Sequence, residues 1–335
     1  MKNLRILLIS PKNASGTGSW TYSNILAASL RKIDGLTVLE FSAIADLSEK
    51  WDVVHALDLK HLDPNLVSAI RAPLVVDVHD VYWLRGEDFF PTPDLPARLI
   101  LSAWRRRRYI PILNRAAAVI THSKYVAEKL AHPAAYLVPL AVEPLQPGPP
   151  LSERPLRVVF AGRDYFRKGL PVLLAAWRHV NTLRPDATLV IAGREYLHGM
   201  LYARLASPNR SVQLLGDISR DALLEEIKRA RALALPSWAE AFGMVLIEAM
   251  SLKTPVVATR VGGIPEALDE GRAGILIEKG DKLALADGIL RCLEPVPDKD
   301  LIDMTRRALQ TAAIYSADNL VKAVLRVYEE VLRKE

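Results

Sequence analysis

Short apolar runs alternate along this chain with longer stretches in which apolar positions recur every three or four residues. The runs Leu4–Ile9, Leu36–Phe41, Val53–Ala56, Leu74–Val78, Ala117–Thr121 and Tyr136–Val138 predict strands, with helical patterns between most of them. Strands separated by helices predict βαβ units and a mostly parallel sheet. Six prolines between Pro139 and Pro155 then forbid both helix and central strand, which places a linker there. After it the alternation restarts through LRVVFAG, ATLVIAG, VQLLG, ALALP, PVVAT and GILIE, so a second sheet of the same kind follows.

The expected organisation is therefore an α/β fold of two Rossmann-like, doubly wound domains, spanning residues 1–145 and 146–315. Residues 316–335 form a terminal helix whose stripe of Leu320, Val321, Val324, Leu325, Tyr328 and Val331 must dock, and it is expected to pack back towards the first domain. Tandem parallel sheets direct their carboxyl ends towards a shared central cleft, where open α/β sheets bind ligands.

Composition narrows the class. A chain of 335 residues exceeds one ordinary core, and its 50% hydrophobic and 24% charged residues are a normal globular balance. The single Cys292 excludes an intramolecular disulfide framework and a cysteine-based zinc site, which fits a reducing, cytoplasmic setting. The opening MKNLRILLISPKN reads as a strand, its apolar run being too short for a signal-peptide core. No stretch approaches the roughly 18 apolar residues of a membrane-spanning helix. The formal charge of +6 favours anionic ligands without specifying them.

Chemistry concentrates in residues 236–250, PSWAEAFGMVLIEAM. A helix throughout would hold Glu240 and Glu248 about 12 Å apart, beyond the roughly 5–9.5 Å of paired hydrolytic carboxylates. A helix starting near Gly243 leaves Glu240 in the preceding loop and puts Glu248 inside an apolar helix, where a carboxylate needs a partner. Ligand hydroxyls would serve, and so would a core arginine, while Glu240 could simply complement the helix dipole. The backbone amides of Phe242, Gly243, Met244 and Val245 at the helix start suit a phosphate. A second segment, VVFAGRDYFRKGLPVLLAAW from Val158, delivers Gly162, Arg163, Lys168 and Gly169 on one strand-to-helix loop. Two cations so placed can neutralise a pyrophosphate without a metal.

These residues resemble the retaining glycosyltransferases of the GT-B fold, the family of glycogen synthases, sucrose synthases and mannosyltransferases. Glu240 and Glu248 match its E-x7-E signature, Gly162, Arg163, Lys168 and Gly169 its basic loop, and PVVATRVGGIPE the stretch after the signature. In the first half VVDVHDVYW, ITHSKYVAEKL and YLVPLAVEP agree more loosely. The resemblance implies that Arg163 and Lys168 bind the diphosphate of a nucleotide-sugar donor, Glu248 the ribose hydroxyls, Glu240 and His79 hydroxyls of the transferred sugar, and the amides of residues 242–245 the phosphates. It implies a hydroxyl acceptor on a glycan, lipid or small molecule, and no cofactor or metal. A nonhydrolysing sugar-nucleotide epimerase and a non-catalytic sugar-nucleotide-binding protein share that architecture.

Three departures from the family pattern stand out. Thr17 separates Gly16 from Gly18 in the first-domain loop that contacts acceptor or phosphate, Ala141 replaces a common glycine, and Lys253 stands where glycine closes the signature helix. Other signals have plainer readings. GTGSWT lacks the tight turn and third glycine of a dinucleotide fingerprint. Asp298-Lys299-Asp300 reads as a helix cap rather than a metal motif. The run Arg105, Arg106, Arg107, Arg108 after Leu99, Ile100, Leu101 and Trp104 is either a solvated face or a contact for an anionic membrane surface, and no nucleic-acid-reading motif accompanies it.

Overall fold

The computed structural model describes residues 3–10, 18–41, 46–47, 49–83, 95–193, 201–204 and 211–334. They form two compact units, one of Met1–Glu87, Pro96–Glu143 and Tyr315–Glu335, the other of Asp88–Leu95 and Pro144–Ile314.

Unit 1 runs β1 (Leu4–Ile9), α1 (Gly18–Leu30), β2 (Leu36–Glu40), β3 (Val53–Ala56), α2 (Pro64–Val67), β4 (Leu74–Val78), α3 (Leu95–Arg115), β5 (Ala118–Thr121), α4 (Lys124–Leu130) and β6 (Ala135–Leu137). The strands make one parallel sheet in the order β2-β1-β3-β4-β5-β6. Strands β3, β4 and β5 are buried along their whole length, as parallel strands covered on both faces must be. Two polar residues interrupt their apolar runs, His55 in β3 and Asp77 in β4, both fully buried.

The C-terminal helix Ala317–Arg333 belongs to this unit and packs against α1. Ser316 caps it by accepting from the Asn319 amide. Its buried face is Leu320, Val324, Val327, Tyr328 and Val331. Val321 and Leu325, expected in that stripe, are only half-buried, because the helix is rolled so that Val327 takes the inner position.

Unit 2 continues with β7 (Arg157–Ala161), α5 (Leu170–Leu183), β8 (Thr188–Ala192), β9 (Val212–Gly216), α6 (Arg220–Arg229), β10 (Ala232–Leu235), α7 (Met244–Ser251), β11 (Val256–Thr259), α8 (Ile264–Ala267), β12 (Ile275–Ile277), α9 (Lys282–Leu293) and α10 (Lys299–Ala312), and the C-terminal helix is α11. Its sheet is also parallel, ordered β12-β11-β10-β7-β8-β9. Phe160, Leu173, Trp177, Leu189 and Ile289 fill the core between sheet and helices. The proline-rich segment is tied down by Arg154, which is buried and donates to the carbonyls of Pro149, Ala230 and Leu252 and to Thr254 Oγ1. Burial pulls its guanidinium down to about 10.

Candidate functional site

In the sheet of unit 2 the strand order reverses between β7 and β10. Helices leaving adjacent strands at such a point pass to opposite faces, so a crevice opens at their carboxyl ends. The loops there are 162–169 and 236–243, the two segments singled out in the sequence. They are knitted together. Trp238 N–H donates to the Arg167 carbonyl at 2.8 Å. Gly169, at φ 76°, lies where a Cβ would come 1.9 Å from the Pro236 carbonyl oxygen, so no side chain fits. Gly262 packs as tightly on the Glu240 carbonyl, to which Gly263 N–H donates at 3.1 Å.

Lys168 and Glu240 form a buried ion pair across this junction, each about 8% exposed. Arg167 Nη1 stands 3.8 Å from the same carboxylate oxygen and donates to the Ala239 carbonyl. Burial raises the Glu240 pKa, but the charges of Lys168 and Arg167 outweigh it and hold the carboxyl below its usual range. Burial lowers the Lys168 ammonium, and Glu240 offsets only part of that. Arg163, the second residue of the first of these loops, is half-buried and has no ion pair among the described residues. Gly243 adopts φ 94° as the residue before α7, so the chain turns sharply and aims the first-turn amides of Met244 and Val245 out of the helix.

Glu248 lies in the second turn of α7 and is buried. Its partner within the protein is Arg220, whose Nε and Nη2 donate to Oε1 at 3.1 and 3.0 Å. Of the two partners open to it from the sequence, the core arginine is therefore present. Arg220 was not among the expected site residues. The available signal was its position, since it opens α6 directly after the cap Ser219, where the helix dipole disfavours a cation.

His79 lies just beyond β4 in unit 1, half-buried, with Nε2 2.9 Å from the Leu57 carbonyl. Its ring stacks on His122 at 4.6 Å and meets the Tyr22 ring edge-on at 5.1 Å. Beneath it, Asp77 Oδ1 accepts from His55 Nε2 at 2.8 Å, and His55 Nδ1 accepts from Tyr328 of α11 at 2.7 Å. Burial raises the Asp77 pKa, but His55, His122 and His79 bring it below its usual value. Burial takes His122 down to about 3, so it is neutral. His55, Asp77 and His122 carried no sequence signal beyond a polar residue in or beside an apolar run. Gly18 is the first residue of α1, and Gly16 lies outside the described residues.

The arginine run divides. Arg106 and Arg107 are exposed beside Ile100, Leu101, Trp104 and Ile110, whereas Arg108 turns in to the Leu62 carbonyl and Arg105 is half-buried. Asp298 caps α10 by accepting from Leu301 N–H and is bridged to Arg291, in keeping with the capping reading. No helix among the described residues is long and apolar enough to cross a membrane.

Residues 155–295 match the family model for glycosyl transferases group 1. The chain is 34% identical over 182 residues to a D-inositol 3-phosphate glycosyltransferase of Corynebacterium jeikeium, covering 51% of this chain and 43% of that protein. It is 33% identical over 187 residues to that of Mycolicibacterium vanbaalenii, covering 51% and 40%. The chain thus spans less than half the length of these relatives. Among solved structures it superposes on HepE of Anabaena, crystallised with UDP and glucose, with a TM-score of 0.76 at 18% identity, covering 98% of this chain and all of that one. Sucrose-phosphate synthase of Thermosynechococcus elongatus gives 0.75 at 17%, covering 99% and all of that chain. At that identity the likeness is one of fold.

Proposed function

Residues 155–295 carry a group 1 glycosyl transferase domain within a GT-B fold, and from that premise we propose that the chain moves a hexose-type sugar from a nucleotide-diphosphate sugar to a hydroxyl acceptor with retention of configuration. The observation that carries this reading is that the loop bearing Arg163 and Lys168 and the loop leading into α7 adjoin at the switch point of unit 2, with Lys168 paired to Glu240. HepE, which shares the fold, is crystallised with UDP and with UDP-glucose.

In this reading Arg163 and Lys168 neutralise the diphosphate, the amides of residues 242–245 cradle it, and Glu248 takes the ribose hydroxyls. Glu240 holds hydroxyls of the sugar. The loops of Gly16 and Gly18 touch acceptor or phosphate. The barrier is set by charge gathering on the departing diphosphate, so cations fixed beforehand in a dry loop stabilise the transition state more than the ground state. With the counter-charge supplied by side chains, transfer requires no metal or other cofactor.

A thermal-shift panel of UDP, GDP and ADP sugars identifies the donor, since a ligand at 100 times its Kd stabilises by about 2.7 kcal/mol. Arg163→Ala should weaken nucleotide binding about tenfold to a hundredfold, the worth of a charge-assisted hydrogen bond. Proton NMR of the product reads the anomeric configuration, and an inverted product ends the retaining assignment. Binding without turnover would favour a non-catalytic sugar-nucleotide-binding protein, and a changed donor with no acceptor an epimerase. Activity lost to a chelator and restored by Mn²⁺ would refute metal independence.

The exposed pair Arg106 and Arg107 beside Ile100, Trp104 and Ile110 supports a second element, docking of α3 on an anionic membrane face from the cytoplasm. Serine at both arginines should cut binding to phosphatidylserine vesicles and leave donor affinity unchanged, and equal vesicle binding by both forms disposes of it.

A further inference from the structure

Strands β4 and β5 run in register, with Asp77 opposite Ile120 and Val78 opposite Thr121. The residues just past their ends, His79 and His122, therefore come together, while Asp77 and His79, two apart, project to one face. Each of the three has its outer polar atom engaged. Asp77 Oδ1 accepts from His55 Nε2. His122 Nδ1 donates to the Val138 carbonyl at 3.0 Å, and His79 Nε2 donates to the Leu57 carbonyl at 2.9 Å. Those bonds fix the ring protons on the outer nitrogens, because a carbonyl only accepts. The atoms those bonds leave unengaged are Asp77 Oδ2, His122 Nε2 and the Nδ1 of His79.

Asp77 Oδ2 and His122 Nε2 are buried without a hydrogen-bond partner. One ligand atom from each of Asp77, His79 and His122 lies within 4.8 Å of the others. Among the described residues the Tyr22 hydroxyl is buried against the same rings and faces Asp77, and its one proton can serve the carboxylate but not also the two imidazole nitrogens. Carbonyl acceptors on the far side of both imidazoles, with a ring N–H donor on the far oxygen of the carboxylate, are the arrangement that orients metal ligands.

We propose that Asp77, His79 and His122 bind a divalent transition ion of the zinc class at the carboxyl ends of β4 and β5, with a fourth position open. One carboxylate oxygen and two imidazole nitrogens suit such an ion, and three protein ligands leave a site for water or a ligand hydroxyl. Bonds of about 2.0–2.2 Å set ligand atoms about 3.4 Å apart around a tetrahedral ion, so the three, now within 4.8 Å of one another, close by up to about 1.4 Å on binding. The donor loops of unit 2 are not involved; His79, which the resemblance assigns to a sugar hydroxyl, serves here as a ligand, so metal retention and nucleotide binding are read as separate measurements.

The test uses the full chain stripped with a chelator, dialysed against Zn²⁺ and assayed for bound metal, with Co²⁺ as a spectroscopic probe. The expected result is one Zn²⁺ retained per chain and, for Co²⁺, the strong visible absorption of a four-coordinate ion. His122→Ala, checked for its fold by circular dichroism, should lose at least tenfold in affinity, and the exposed His61→Ala and His179→Ala should not. Arg163→Ala should retain the metal while losing nucleotide. The proposal is overturned if the wild-type chain keeps no Zn²⁺, as when a water bridges the three atoms. It is equally overturned if folded His122→Ala binds as well as wild type, or if either surface variant abolishes binding.

Discussion

Glu248 and Arg220 illustrate what a single buried carboxylate demands. Arg220→Met would take from buried Glu248 the two charge-assisted hydrogen bonds that Arg220 donates, at a cost on the order of 1–3 kcal/mol. Urea denaturation at neutral pH should report that loss. Lys168 and Glu240 make a sharper case because pH separates their contributions. Glu240 titrates below its unfolded value, so its stabilisation is present above the usual carboxylate pKa and is lost as pH falls through the lowered one. Glu240→Gln removes that and leaves buried Lys168 with only the weaker charge of Asp164. The lysine's folded pKa then falls further below the unfolded one, the unfolded chain binds more protons across that window, and stability should rise with pH there. A flat profile for Glu240→Gln relative to wild type, measured from neutral to mildly alkaline pH, contradicts the ion pair. Cys292 is simpler: burial pushes its thiol up to about 12, so a disulfide reagent should label it only on unfolding. At this scale Glu240, Arg163 and Lys168 stand out in the sequence because they sit in loops beside strands, and Glu248 because it interrupts an apolar helix. Partners distant along the chain, Arg220 for Glu248 and His55 for Asp77, are set by topology and left no local mark.

Element boundaries were more legible, and for a physical reason. Covered parallel strands must be continuous apolar runs, so β3, β4 and β10 begin and end where the polarity changes. The start of α7 was also readable, because Gly243 supplies the turn that no other residue makes cheaply. Its end departs from the rule. Lys253 takes φ 55°, with its amide on the Met250 carbonyl and the Thr254 amide on that of Ala249, the paired bonds of a Schellman closure. A left-handed, exposed lysine costs about 1 kcal/mol relative to glycine, so Lys253→Gly should stabilise by up to that amount, and a clear drop in melting temperature contradicts it. What periodicity could not supply was the roll of α11, since neighbouring apolar positions such as Val321 and Val327 compete for the inner face until the surface beneath selects one.

For the whole molecule, two doubly wound sheets followed from alternation alone, whereas the order of strands within each sheet did not, because it depends on which face each crossover takes. The chain's last helix joins the unit of its first strand, and the link is chemical as well as apolar. Tyr328 donates to His55, which donates to Asp77, so α11 is wired through three buried groups to the carboxyl end of β4. The carboxylate can only accept, which fixes the His55 proton on Nε2 and leaves Nδ1 dependent on the Tyr328 hydroxyl. Burial and the Asp77 charge hold that hydroxyl well above its usual pKa, so it stays a donor at any pH the protein tolerates. Tyr328→Phe keeps the ring and its packing but orphans a buried imidazole nitrogen, at a cost of about 1–3 kcal/mol. The consequence should be confined to unit 1: amide exchange should quicken in β3, β4 and α11 and stay unchanged in β10 and α7. Equal acceleration in both units would mean that Tyr328 acts on global stability rather than on the buried chain it caps.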